Sequence, residues 1–449
     1  MWIRLFRWAG LVAFALLCAS GAEAFTLFGE PDVLAPGQVK SLPFTLLGEQ
    51  VALRLDLNGS LRYQTLGFEQ RGVARGLMVP EVNLELNLQL TATQRVHALF
   101  RPIERGFRKP TFDQFAPTDA GWTVQASGEP ARLWYEGQPL NWLTPNDEFP
   151  LDVSVAGGRL PLSFHNGIWF NNTFDGFALS KLNLQIGNLS NLGVIYFLTR
   201  GQTDGGVTAE EKRETRKNVT GLVSYADWLD YHFEVSWARS YDNGRTRRFP
   251  ADLDRDFWGV SVTRTFGLAG VALRVLGSSG NASRADGQLV VLELEKELLG
   301  VRAYTTVFGG TADWLPVTQE GATLSRLGVL FTFDRLAPFP GLNPRGSDSV
   351  GGALGVIFNP RGIVTVTPEV GWVIDTSPRG NDQFGGAIQI QADVASLLIP
   401  GTTLEETRKR GLLYGALARL TLIGIRNQDN GLSTNKDELG GRLELIYRF

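Results

Sequence analysis

The sequence predicts an all-β protein, a single transmembrane antiparallel up-and-down β-barrel of about 18 strands (16–18) with a polar lumen. Three observations predict it. Polar and apolar side chains alternate with period two in segment after segment. The segments run to about 10–14 residues, the length of a tilted strand crossing a bilayer, and no globular helical pattern interrupts them. Aromatic residues recur near segment ends, where a membrane–water boundary suits them: Trp134, Tyr135, Trp142, Trp169, Phe170, Trp237, Tyr241, Phe257, Trp258, Phe331 and Phe333.

Residues 1–24 read as an export signal. Arg4 and Arg7 supply positive charge, Ala9 to Ala19 is an apolar run, and Ala22-Glu23-Ala24 is a small-x-small cleavage site, so the mature chain is expected to begin at Phe25. Cys18 is the only cysteine, so disulfides cannot hold the exported chain together, whereas a closed ring of hydrogen-bonded strands can. Without Arg4, Arg7 and Glu23 the chain carries 41 basic and 45 acidic residues, a balance that suggests no nucleic-acid partner. The 449 residues and mean hydropathy of -0.05 suit one large barrel better than a helical membrane protein.

Residues 25–48 precede the first strand and are expected to form a short N-terminal periplasmic or lumenal segment, with the barrel over 49–449. Candidate strands start near Val51, Glu81, Trp122, Leu151, Thr173, Leu192, Asn218, Leu229, Asp256, Val271, Gln288, Val301, Leu324, Val350, Ile363, Phe384, Leu412 and Leu439. The alternation is clearest in Val82 to Leu90, where every even residue is apolar and every odd one polar. Short connections such as Asn359-Pro360-Arg361-Gly362 look periplasmic, and long ones at 201–217, 241–255 and 309–321 look extracellular. The alternation of short and long breaks around Pro338, Pro340 and Pro344, which points to one miscounted strand on each side. At the end, Gly441, Leu443, Leu445, Tyr447 and Phe449 share one face. An amphipathic last strand ending in Phe449 resembles the terminal signal that the outer-membrane assembly machinery reads.

With the apolar face toward lipid, the opposite face lines the interior. The pore-lining candidates are Arg54, Asp56, Arg62, Glu85, Lys181, His232, Glu234, Arg274, Arg302, Glu369, Arg442, Glu444 and Arg448. Asn58, Asn87, Asn183 and Gln185 share that face. Most of these charges are expected to pair with one another and stiffen the wall. A connection at 101–121 with Arg101, Arg105, Arg108 and Lys109 is most simply a solvated loop, or else folds inward to meet an anionic solute. Segment 208–217 reads as a solvated loop tip.

The stretch 155–180, VAGGRLPLSFHNGIWFNNTFDGFALS, orders Gly158-Arg159, Asn166-Gly167, Trp169, Asn171-Asn172 and Thr173-Phe174-Asp175-Gly176. It resembles the alginate-export family of outer-membrane barrels, in which a strand ending in Gly-Arg leads through a glycine-containing turn to a Phe-Asp-Gly strand start. The pattern departs at Leu160, where the family has Gln, and at His165-Asn166, where it has an acidic turn residue. The resemblance implies a barrel of about 18 strands acting as a porin or exporter, and carries over no pore residue.

The function these readings imply is passive passage of polar or charged solutes through an outer-membrane channel of a Gram-negative bacterium, either a general porin or an exopolysaccharide exporter. The alternative is a structural or plugged barrel. An outer-membrane enzyme is disfavoured: His97, His165 and His232 lie far apart and no nucleophile motif flanks them. No metal motif and no cofactor fingerprint is present.

Overall fold

The computed structural model describes residues 25–28, 45–46, 49–70, 73–91, 93–103, 130–139, 153–202, 217–242, 254–280, 286–298, 300–318, 323–332, 339–359, 363–377, 380–394, 416–429 and 437–448. Two short strands, β1 (Phe25–Phe28) and β2 (Thr45–Leu46), precede the rest. Then come β3 (Glu49–Gln70), β4 (Val73–Thr91), β5 (Arg95–Ile103), β6 (Pro130–Gly137), β7 (Val153–Phe164), β8 (Phe170–Ile186), β9 (Leu189–Gln202), β10 (Lys217–Trp228) and β11 (Tyr231–Asp242). The chain continues through β12 (Arg255–Phe266), β13 (Ala269–Gly280), β14 (Gly287–Leu298), β15 (Val301–Gly310), β16 (Ser349–Phe358), β17 (Val364–Asp375), β18 (Asn381–Asp393), β19 (Ala416–Asp429) and β20 (Glu438–Arg448).

From β3 to β20 each strand pairs antiparallel with its sequence neighbour, and β20 pairs back with β3, Leu443 opposite Thr65 and Tyr447 opposite Leu61. The ring of 18 strands is therefore closed, with no edge left open to lipid. β1 pairs with β3 at Leu55 to Leu57, beyond the last residue of β20. The signal residues 1–24 and the terminal Phe449 lie outside the described residues.

Alternation sorts each strand into two faces. On β11, Val235 and Trp237 are about half exposed while Ser236, Ala238 and Ser240 are buried. On β20, Leu439, Leu443 and Leu445 are exposed while Glu438, Arg442 and Glu444 are buried. The exposed face stays apolar on β16 to β19, through Leu354, Val370, Ile388 and Leu422. The buried polar face points inward.

The strand total is right because two errors cancel. β5 has no counterpart among the candidate starts, which pass from Glu81 to Trp122. It has nine residues, an apolar run at Ala98-Leu99-Phe100 that breaks the alternation, and Pro102 near its end. The start near Leu324 is not a strand: Leu327 N–H donates to the Leu324 carbonyl at 3.0 Å in a turn, and Leu324, Leu330 and Phe331 are fully buried. These apolar residues fill the interior, and in sequence an inward-packed loop mimics a membrane-facing strand. Trp169, Phe170, Phe257 and Phe331 are likewise fully buried and do not stand at a lipid boundary, whereas Trp237, Tyr241 and Trp258 are exposed as expected.

The interior thus holds an apolar cluster. Phe164, Trp169, Phe170, Phe174 and Phe197 come from β7 to β9, and Trp314, Leu324, Leu330 and Phe331 from the chain between β15 and β16. The connections after β8, β10, β12, β14 and β16 are short and fall at one rim, the short-turn rim, where those after β6 and β18 are longer. The opposite, long-loop rim carries the connections after β7, β9, β11, β13 and β15.

Candidate functional site

Two segments leave the long-loop rim and fold into the ring. The first is the turn between β7 and β8. His165, Asn166 and Gly167 all have positive φ, 50°, 58° and 75°, so the chain reverses within three residues. The wall meets one of its N–H donors: the His165 backbone N–H donates to Glu234 Oε1 at 2.8 Å. The His165 ring is held between two hydroxyls, Nδ1 2.6 Å from Ser261 Oγ and Nε2 2.6 Å from Ser236 Oγ. Gly259 makes room for that ring, since a Cβ there would stand 2.6 Å from Nε2. Burial, helped by the nearby Arg274 charge, holds the imidazole well below its usual value, at about 3, so it stays neutral. Behind the turn the aromatic cluster packs edge and face, with Phe164 stacked on Phe197 at 5.5 Å and Phe170 edge-on to Phe197 at 5.3 Å.

The second segment joins β15 to β16. It clasps the first: Val317 N–H donates to the Trp169 carbonyl at 2.9 Å, and Asn171 N–H donates to Thr318 Oγ1 at 2.9 Å. The barrel wall holds it from the other side. Thr306 Oγ1 donates to the Leu327 carbonyl at 3.3 Å, and Asn343 N–H donates to Gln383 Oε1 at 2.7 Å. Val329 and Leu330 donate their backbone N–H groups to Glu369. Both segments thus pack against the inward face of the wall.

Beside the second segment lies a cavity of about 620 Å³. Its lining includes five arginines, Arg274, Arg302, Arg419 and Arg442 from the wall and Arg326 from the inward segment, against two carboxylates, Glu293 and Glu295. Threonines, Ser325, Gln389 and Tyr304 add to the polar surface. Arg274 is paired with Glu293. Glu444, fully buried, takes Arg62 at 2.5 Å and stands 3.6 Å from Arg419 and 3.3 Å from Arg442. Arg442 also lies over the Phe339 ring at 5.0 Å. Guanidinium charge therefore outweighs carboxylate charge in this part of the interior.

The sequence-predicted residues fall into three groups. Arg62, Arg274, Arg302, Arg442 and Glu444 gather at or next to the cavity. Glu234 and Glu369 are spent on the backbone of the inward segments. The others stand apart on the inward-facing parity. Arg54 pairs with Asp56 at 2.8 Å, Glu85 lies across from Asn58, His232 bonds Asp227 at 2.6 Å, and Arg448 lies across from Ser60. Lys181 is a correction: it pairs with Val194 and shares the outward face of Phe177 and Leu179. A bulge with Asn183 at φ 59° shifts the parity of β8 just beyond it, so a strict two-residue count puts Lys181 on the wrong face. Of the basic connection at 101–121, Arg101 belongs to β5, and Arg105, Arg108 and Lys109 lie outside the described residues, as do 208–216.

Arg419, Glu293 and Tyr304 were missed, although alternation in Leu417 to Ile423 and Leu289 to Glu297 carries the first two. Arg326 has no such signal, because its position depends on how a loop folds back. Among the described residues, no group of three His, Cys, Asp or Glu is placed to hold a metal ion.

No protein-family model matches this chain, and no curated protein matches it in sequence. Solved structures do match. OccK2 (OpdF) of Pseudomonas aeruginosa is similar with a TM-score of 0.56 over 88% of this chain and 97% of that one, at 11% identity. A BenF-like porin from Pseudomonas fluorescens Pf-5 gives 0.56 over 88% and 98%, at 12% identity. OccK2 (OpdF) in complex with glucuronate gives 0.55 over 88% and 98%, at 12% identity. The likeness is one of fold, a closed barrel of the porin type.

Proposed function

We propose that this chain is a passive channel of the Gram-negative outer membrane, passing small anionic solutes by diffusion. The observation that carries the proposal is the cavity beside the inward segment, where five arginines face two carboxylates. Guanidinium groups fixed in a narrow wet passage lower the energy of an entering anion and raise that of a cation. The exposed apolar face suits outer-membrane lipid, and the short-turn rim suits the periplasmic side. Phe449 would serve as the address for the assembly machinery. No bond is made or broken in this role.

Carboxylated sugars are the solute class we favour. The glucuronate of the OccK2 complex is such a molecule, and a carboxylate suits the two-pronged donor geometry of arginine. A finer alternative follows from the 155–180 resemblance: export of an anionic polysaccharide, whose uronate units present the same charge. Bilayer recordings separate the two. A small-anion channel carries glucuronate current and is blocked by oligouronates, whereas an exporter passes both. A channel that prefers potassium to chloride contradicts either form.

A further inference from the structure

We infer that Glu369 is a positioning residue of the channel: it fixes where the inward segment and its Arg326 stand, and so sets the width and charge of the narrow zone. The inference rests on the channel reading above and assigns Glu369 a role other than touching solute. Glu369 sits on β17 facing inward, with 2% of its surface exposed. Both of its oxygens are engaged. Leu330 N–H donates to Oε1 at 2.7 Å, Val329 N–H donates to Oε2 at 2.9 Å, and the Tyr304 hydroxyl also donates to Oε2. Two consecutive backbone N–H groups on one carboxylate make a small anion nest turned to an internal purpose.

The chain is shaped to accept this carboxylate. At Gly328 a Cβ would meet Glu369 Oε2 at 2.6 Å and Oε1 at 2.8 Å, so a side chain there would push the carboxylate off the two N–H groups. Thr306 holds the next carbonyl back, that of Leu327, and the buried Leu330 and Phe331 lock the far side, Phe331 edge-on to Phe308 at 5.6 Å. Two residues before Gly328, Arg326 leans toward the other inward turn. Its guanidinium lies 3.0 Å from where a Gly167 Cβ would be, and it reaches Asn171 Oδ1 at 3.4 Å. Glu369 thus grips the segment at 328–330 while Arg326 spans the gap between the two inward segments. Releasing the grip leaves the buried Leu330 N–H without its acceptor and frees the part-buried one of Val329, and the segment is expected to swing toward the rim.

The test compares the full-length protein with Glu369→Ala, Glu369→Gln and Arg326→Ala in planar bilayers of defined lipid. Heat-modifiable mobility on gels verifies that each barrel is folded. Glu369→Ala should raise the conductance step by about two-fold and weaken chloride preference, because both width and the Arg326 charge position change. Glu369→Gln keeps an acceptor and should fall between. Arg326→Ala should weaken chloride preference with little change in step size. A spin label at Ser325→Cys, in a mature chain that has no other cysteine, reads the segment independently of conductance and should gain mobility in Glu369→Ala. Unchanged label mobility and unchanged conductance in a folded Glu369→Ala barrel overturn the inference. A wild type without conductance, with label mobility still rising on substitution, overturns the channel reading alone.

Discussion

Glu444 is fully buried on the inner wall with the guanidinium groups of Arg62, Arg419 and Arg442 around it. One carboxylate among three arginines cannot neutralise them; Glu81, 3.4 Å from Arg62, helps on one side only. Glu444→Gln removes that offset. The expected outcome is a stronger chloride preference in bilayers, together with a loss of about 3 kcal/mol in barrel stability from the uncompensated buried charge. Guanidinium groups left behind at a lower chloride preference contradict the charge assignment. At this scale the sequence was legible wherever alternation ran unbroken, as it did for Arg62, Arg274, Arg442 and Glu444. It failed at Lys181 because one extra residue in β8 turns every later side chain to the other face, and a bulge leaves no mark that period-two reading can detect.

Between residues and the whole molecule stand the two inward segments, and their tightness depends on the His165 turn. A neutral imidazole fits between Ser236 and Ser261, with Glu234 and Arg274 as the charged groups facing it and Glu293 within reach of Asn166. Its lowered value means that the docked turn binds a proton less readily than the free turn. Docking is therefore fully favourable above the ordinary imidazole value of 6.5 and weakens as pH falls toward about 3. Conductance recorded from pH 7 down to pH 4 should rise or become noisier as the turn loosens. His165→Gln, which cannot take up a proton, should remove that dependence, and an identical profile in the variant contradicts the role given to the ring. Neither segment was legible beforehand. Asn166-Gly167 marks a tight turn in the sequence, but its inward course comes from Glu234, Ser236 and Ser261 on strands more than sixty residues later. The segment around Leu324 was read as a strand because residues that pack an interior apolar cluster have the same composition as residues that face lipid.

At the scale of the whole barrel, what alternation determined was the sidedness, oil outward and water inward, and that is why the closed ring of 18 was readable although one strand was missed and one invented. Sidedness has a direct energetic consequence. Val370 stands in the middle of β17, more than half exposed on the outward face. Val370→Arg should lower stability by about 2–4 kcal/mol when unfolding by denaturant is followed in lipid vesicles, since a cation near the bilayer midplane has no partner there. The same charge placed at an inward position costs far less, and equal losses at the two faces contradict the assignment of lipid to the outer one.

The claim on which the rest depends is that the interior is an open, arginine-rich passage. The reversal potential of the purified full-length protein across a planar bilayer in a potassium chloride gradient tests it most directly. The account predicts discrete conductance steps and a reversal potential displaced toward that of chloride. Steps reversing toward potassium, or a folded barrel that carries no current, contradict it.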